Sequence, residues 1–509
     1  LSGNGARRAA ATALASPRPS SADPRRAVGT SVDNRVWTLP AALLAVAAGV
    51  GALAGVDPKL GVAAAMGLAF VTIVMADLSV GLCLYALFAF LNIVPDVGGS
   101  FLSFDKVAGG LLAVSWLATV ASRKAVRRAF ISSHPQFFAI LTFFLAWVVL
   151  SLTWAEQPSH GVEVASRYVL SAFLFLIVFT AVRTREHVRW LLGAFVAAST
   201  LSGAYGLVAP PPVTDQDRLA GTIGEPNQLA AVLVAGLVIA LAMAVVEKGK
   251  PILRLLLVAA AGLCLLTTFL TLSRAGLIAL VVAMVAAVIV AGRWRPQVFT
   301  GAAVVITTLF VFFAFIATPH QRERVSSVGT GSTTGRSDIW TIGWRMVQAH
   351  PVNGVGVGQF QTSAVHFLIA PGTIQRSDLI IDRPKVAHNI YLHVLAEMGA
   401  VGLAAFLLII GFALRCTLKA ARAFGRRGQP AMDLLSRAVF VGLVGILAAD
   451  FFASEQFSKQ LWLLLGLGPA LLAMSRRAGD EPESKNESAV PAPLAPRRLE
   501  PAPSIQAAS

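Results

Sequence analysis

The sequence predicts an all-α protein, a membrane bundle of about twelve to fourteen transmembrane helices with one large extracytoplasmic loop. Three observations lead there. The 509 residues are 56% hydrophobic and only 13% charged, with a mean hydropathy of +0.71. No water-soluble domain has an interior able to hide so much apolar surface. The apolar residues also come in blocks long enough to cross a bilayer, not as alternating strands or helical stripes. Backbone in lipid must satisfy its own hydrogen bonds, and a helix does so within one segment.

The elements follow in order. The chain opens on Leu1 rather than Met, and residues 1–36 are rich in Ala, Arg, Ser and Pro without an apolar core. They are expected to form a disordered cytoplasmic tail, not a cleaved signal peptide. Apolar blocks at 37–55, 60–76, 78–94, 107–121, 137–154, 168–182 and 190–208 give the first seven spans. Blocks at 228–246, 252–271, 276–292 and 298–317 complete a first set over 37–317. A second set over 399–474 comprises 399–417, 434–453 and 460–474. Asp77 separates the second and third blocks, so these form a tight hairpin. Residues 475–509, rich in Pro, Ala, Ser and Glu, are expected to be a second disordered tail.

Charge sets the orientation. With the N-terminus inside, the inner loops hold Arg123, Lys124, Arg127, Arg128, Arg183, Arg185 and Arg189. Lys248, Lys250, Arg254, Arg293, Arg295, Lys419, Arg422, Arg426 and Arg427 follow. The outer loops hold little beyond Lys59, Lys106, Arg167, Arg218, Arg274 and Lys459. That asymmetry predicts a multi-pass protein of a bacterial inner membrane with both termini in the cytoplasm. It also accounts for the formal net charge of +16 without nucleic acid, for which no basic-aromatic module is present. Cys83, Cys264 and Cys416 each sit alone in apolar stretches, the usual setting of an inert thiol.

The same orientation sends 318–398 outside. Gly329, Gly331 and Gly335 suggest a flexible start. From Ser337 to His350 an amphipathic helix is expected, with Ile339, Trp340, Trp344 and Val347 on one side, lying at headgroup level. Asp338 suits its N-terminus and Pro351 ends it. Residues 386–398 read as a further helix leading into the membrane.

Charges near membrane level need a reason. Four outer groups stand out: Arg218, Arg274, Arg336 and His388. Arginine offers a permanent charge and a planar fork of donors suited to phosphate, and a histidine nearby can serve as base. Taken singly, such arginines more often snorkel or pair with carboxylates. His393 and Glu397, four apart on another helix face, make a structural pair, leaving His388, with an expected pKa near neutrality, as the freer histidine. Asp215 and Asp217 are an acidic pair of the metal-binding kind, better read as a solvated loop after Pro210, Pro211 and Pro212. Gly354, Gly356 and Gly358 precede no βαβ unit and read as a flexible loop, not a nucleotide site.

Four segments in order then resemble the bacterial O-antigen ligase and O-antigen polymerase superfamily. They are RLAGTIGEPNQLA (218–230), TLSRAG (271–276), GRSDIWTIGWRMVQAHPVNGVGVGQF (335–360) and AHNIYLHVLAEMGAVGL (387–403). The resemblance covers roughly 215–475. It implies a metal-independent, inverting glycosyltransferase without cofactor, acting in cell-surface polysaccharide synthesis, lipopolysaccharide included. Its donor would be an undecaprenyl-diphosphate-linked glycan, and its acceptor a hydroxyl on a glycan, lipid or protein at the outer face. By motif, Arg218 and Arg274 match the arginines that hold the donor diphosphate, and His388 the histidine that activates the acceptor. Arg336 matches a motif arginine. Asn227, Asn389 and Tyr391 are motif neighbours that orient the site, and Glu225 would bond sugar or an arginine. About fourteen spans, against a dozen in typical ligases, is a departure at the N-terminal side. A repeat-unit polymerase and a protein O-oligosaccharyltransferase remain alternatives within the family. A lipid-linked glycan transporter, with Asp450 as its deep acid, is the alternative outside it.

Overall fold

The structure is a computed structural model that describes residues 35–90, 104–122, 131–208, 218–326, 335–368, 374, 377–382 and 384–477. The expected tails, the glycine-rich 329–334 and the Asp215/Asp217 loop lie outside these, except for helical residues at 35–36 and 475–477. Among the described residues no strand occurs. The helices are α1 (Arg35–Val56), α2 (Pro58–Ala76), α3 (Leu78–Phe88), α4 (Phe104–Ser122), α5 (Pro135–Leu150) and α6 (Pro158–Ala181). They continue with α7 (Arg185–Val208), α8 (Pro226–Val246), α9 (Pro251–Leu270), α10 (Arg274–Val290) and α11 (Arg295–Val311). Then come α12 (Pro319–Ser326), α13 (Arg336–Ala349), α14 (Ile390–Arg426), α15 (Pro430–Ala449) and α16 (Lys459–Arg477). Eight of the described helices are long and apolar enough to cross a membrane, and shorter apolar stretches lie in α1 to α4 and α10. The protein is an all-α, polytopic membrane protein. The apolar blocks read from the sequence fall on α1 to α11 and α14 to α16.

Boundaries are set locally. Pro135, Pro158, Pro226, Pro251 and Pro430 each open a helix, where the missing N–H leaves no bond unmade. Asp77 ends one helix and caps the next, its carboxylate accepting from the Ser79 and Val80 amides.

The chain divides into two compact units, Leu1–Ala65 and Met66–Ser509. The first holds α1 and the start of α2, which approach closely at Gly61 and Ala54. In the second, α8 packs against α7, α9, α10 and α15, while α5, α6, α14 and α16 form a neighbouring group. Phe137 of α5 stacks between Phe175 of α6 and Phe412 of α14, at 4.9 and 4.3 Å between ring centres. α15 contacts both groups and joins them.

The segment expected as a loop has a small core of its own, built on Ile339, Ile342, Met346, Phe360, Ile380 and Ala387. It selects a different face of α13 from the one expected. Ile339, Ile342, Met346 and Val347 are buried, but Trp344 is 54% exposed, so the four named residues do not share one environment. The glycine-rich NGVGVG stretch is not a flexible loop either. It is docked against α14 where that helix breaks at Gly399 (φ 66°).

The break frees backbone groups, and each finds a partner. The Ala396 carbonyl accepts from Val355 N at 2.9 Å, and that of Glu397 from Gly356 N at 2.9 Å. The Met398 carbonyl accepts from the Trp147 indole at 2.9 Å. Beyond the break, the Ala400 and Val401 amides donate to the carbonyls of Pro351 and Val352 at 2.9 and 3.4 Å. A side chain at Gly399 would meet the Val352 oxygen at 2.1 Å. Gly399→Ala is therefore expected to destabilise by about 2–4 kcal/mol through strain and undocking of this loop. Gly411→Ala, in open space on the same helix, is the neutral control. Thermal unfolding of the two purified variants checks this, and equal midpoints would contradict it.

Candidate active site

The first component is the segment from Arg218 to Glu225. It is pinned on three sides. Leu219 N donates to Leu270 O at 3.2 Å, and Thr222 Oγ1 lies 2.7 Å from Ser202 Oγ of α7 and also bonds Phe90 O. Gly221 adopts φ 57° against the Ser202 carbonyl, where any side chain would collide. Arg218 is thereby held half-buried, its Nε donating to Thr271 O and a terminal nitrogen to Asn227 Oδ1, both at 2.9 Å. Glu225 caps α8 through the Gln228 amide and accepts from Asn227 Nδ2 at 2.7 Å.

The second component is the turn between α9 and α10. Ser273 caps α10 through Gly276 N, while its hydroxyl donates to Asn227 Oδ1 at 2.8 Å. Gly276 brings α10 against Ala230 of α8, with a Cβ there only 2.5 Å from the Ala230 Cβ. Arg274, the first residue of α10, is exposed. Leu272 is forced to φ 48°, one of two non-glycine residues in the left-handed region among those described.

The other such residue is His388, at φ 49°. Ala387 O accepts from the Trp340 indole at 2.9 Å, and Asn389 Oδ1 caps α14 through the Tyr391 and Leu392 amides. Strain of this kind, worth about 1–3 kcal/mol, persists only where the surroundings over-determine the backbone. Here both flanking residues are tied down. The His388 ring is half-buried; burial first, and then the nearby Arg336 and Lys385, push its pKa down to about 4. That corrects the expectation of a value near neutrality.

Arg336, at the first position of α13, completes the cluster. Burial lowers its pKa, as do the Arg218 and Arg274 guanidiniums, while the Glu225 carboxylate acts in the opposite sense. Three arginines from three separate segments thus share one electrostatic neighbourhood with Glu225 and His388. Tyr391 faces the same end but gives its hydroxyl to Leu447 O at 2.9 Å.

Sequence reading overlooked Glu455 in the turn between α15 and α16. Burial first, and then the nearby Glu225, push its pKa up to about 8. The cue was a lone acid between two apolar blocks. His393 and Glu397 are the expected pair, Nε2 to Oε1 at 3.2 Å, with Nδ1 lying 3.1 Å from Ser454 Oγ and the ring stacked on Phe360. Asp450 is buried at the end of α15, beside Tyr391 and Glu455, not at mid-helix depth.

An apolar groove of about 590 Å³ leaves this cluster. It runs from Tyr391, Phe451 and Phe452 along α10, α14 and α15 to Leu414 and Val444. Ile278 and Val282, one and two turns below Arg274 on the same face of α10, form one wall.

Fold and site together define a polytopic helical membrane protein with a cluster of arginines at the head of an apolar groove. Comparison with known proteins agrees. The family model described as O-antigen ligase matches residues 259–407, which hold Arg274, Arg336 and His388. An O-antigen ligase of Pseudomonas aeruginosa is 26% identical over 369 residues, covering 69% of this chain and 82% of that protein. The chain is thus similar, across its C-terminal half above all, to O-antigen ligases, membrane proteins of polysaccharide biosynthesis.

Proposed function

We propose that this protein is a glycosyltransferase that moves a glycan from undecaprenyl diphosphate to an acceptor hydroxyl on the outer face of the cytoplasmic membrane. The observation that carries the reading is the crowding of Arg218, Arg274 and Arg336. Like charges held close together repel, and a bound polyanion relieves that cost. Guanidinium forks suit a diphosphate, and the groove below Arg274 suits a prenyl chain. A sugar diphosphate already has a good leaving group, so the reaction needs charge stabilisation and an aligned nucleophile. The arginines take up charge on the departing diphosphate, and neutral His388 accepts the acceptor proton. Direct displacement inverts the anomeric centre. Asn227 orients Arg218, and Glu225 is placed for a sugar hydroxyl or for Arg336.

Purified protein in lipid, given a lipid-linked oligosaccharide and candidate glycan, lipid and protein acceptors, should release lipid diphosphate with one acceptor class. Release with none, from folded protein, would overturn the reading. Chelator should leave the rate unchanged, since arginines supply the charge a metal would offer. Loss restored by magnesium or manganese would instead assign Asp215 and Asp217 as ligands. Orientation has its own test in a background lacking Cys83, Cys264 and Cys416. In intact cells an impermeant thiol reagent should label Ser332→Cys and not Ser484→Cys; the reverse pattern would invert the topology.

A further inference from the structure

α13 carries two side chains of the site on one face. Arg336 and Trp340 are four residues apart, so they lie one turn from each other on the same side of the helix. The sequence pattern puts Trp340 at headgroup level together with Trp344, but the fold separates the two. Trp344 is exposed, whereas Trp340 is half-buried against the residues that follow α15. Its ring meets Phe451 edge-on at 5.9 Å between ring centres and Phe452 at 6.4 Å. Both phenylalanines line the head of the apolar groove. Aromatic contacts of this kind fix a ring's orientation as well as its place.

That orientation has one chemical output. An indole offers a single N–H and no acceptor, and here it donates to Ala387 O at 2.9 Å. Ala387 is fully buried, so the bond is made away from solvent, where it counts for more. The next residue is His388 at φ 49°, a sparsely populated conformation that lasts only under restraint. On its far side, Asn389 is fixed as the cap of α14. The two anchors differ in what they tie together. Asn389 joins His388 to α14, while Trp340 joins it to α13, the element that carries Arg336.

We propose that Trp340 is a positioning residue for glycan transfer, its indole N–H holding the His388 backbone through Ala387 so that the imidazole stays near Arg336. This role presupposes His388 as the base. Trp340→Phe keeps a ring against Phe451 and Phe452 and removes the N–H. In the purified full chain it should lower kcat about tenfold, the scale of one buried hydrogen bond, with donor affinity unchanged. Released from its turn, the imidazole loses its burial first and then its proximity to Arg336, Lys385 and His393. The acidic limb of kcat/KM should therefore rise from about 4 toward 6.5. A merely structural tryptophan would scale the rate equally at every pH. Trp344→Phe, on the exposed side of the same helix, is the control and should match the wild type. In a His388→Ala background Trp340→Phe should cost nothing further, because it acts through the ring already removed. If thermal unfolding shows that Trp340→Phe does not fold, Phe452→Leu decides. It keeps the N–H but loosens the seat of the indole, and should move the limb the same way by less. An unmoved limb in the folded variant, or a full additional loss on top of His388→Ala, would overturn the role of Trp340 and leave the base in place. Near wild-type transfer by His388→Ala would remove base and positioning residue together.

Discussion

His388→Ala and His388→Gln are expected to lower turnover by about a hundred- to ten-thousand-fold while leaving donor affinity within a few fold. The ring stands beside Arg336, on a backbone turn that its neighbours hold at φ 49°. Burial and adjacent cations favour its uncharged form, so in the free protein the imidazole is neutral from about pH 4 upward. The acidic limb of kcat/KM, which reports the free enzyme, should fall near that value rather than near 6.5. A bound diphosphate neutralises Arg336, removes one cause of the depression and raises the histidine pKa. The acidic limb of kcat should therefore lie higher than that of kcat/KM. Single-turnover rates with a matched binding assay decide between base and scaffold. Near wild-type transfer by either variant, or coincident limbs at 6.5, would remove His388 from the chemistry. His393→Ala should behave differently. Its ring bridges buried Glu397 and Ser454, so the loss is about 1–3 kcal/mol of stability and not a change in pH profile.

Arg218→Ala is the second large effect, expected at about a hundred- to a thousandfold in kcat/KM, the scale of losing one preorganised charge donor. Arg218→Lys should recover little of it. The native guanidinium donates to Thr271 O and Asn227 Oδ1, and that grip fixes the plane of the fork. An ammonium has the charge but not the planar geometry. Arg274 is exposed at the first position of α10 and holds its place through the Ser273 cap, so Arg274→Lys should keep somewhat more activity than Arg218→Lys. Steady-state rates and donor binding measured on all three variants test this. Wild-type activity in both lysine variants would dismiss a diphosphate clamp.

What could be read in advance was what local chemistry determines. Helix positions followed from apolar blocks and from prolines at first positions, and Arg218, Arg274 and Arg336 declared themselves as charges in costly places. Their convergence needed Asn227, which accepts from both Arg218 and Ser273, residues 55 positions apart by their numbers. No spacing rule announces such a hub. α13 was placed correctly along the chain but turned about its axis. Ile339, Trp340, Trp344 and Val347 obey helical spacing as well as Ile339, Ile342, Met346 and Val347 do, and packing against Phe360 and Leu392 chose the second set. Glu455 escaped notice because a single acid in a short turn looks like any solvated residue until Glu225 is found beside it.

The break at Gly399 bears on how the protein is made. α14 cannot satisfy its own backbone where it breaks; five groups there depend on the 351–356 stretch and on Trp147, all synthesised earlier. In lipid each unpaired group costs several kcal/mol. A nascent α14 leaving the insertion machinery therefore meets a template that is already waiting, with α5 and the 351–356 stretch supplying donors and acceptors as the helix arrives. The expected consequence is an order in biogenesis, in which docking of the 351–356 stretch precedes lateral release of the helix that follows it.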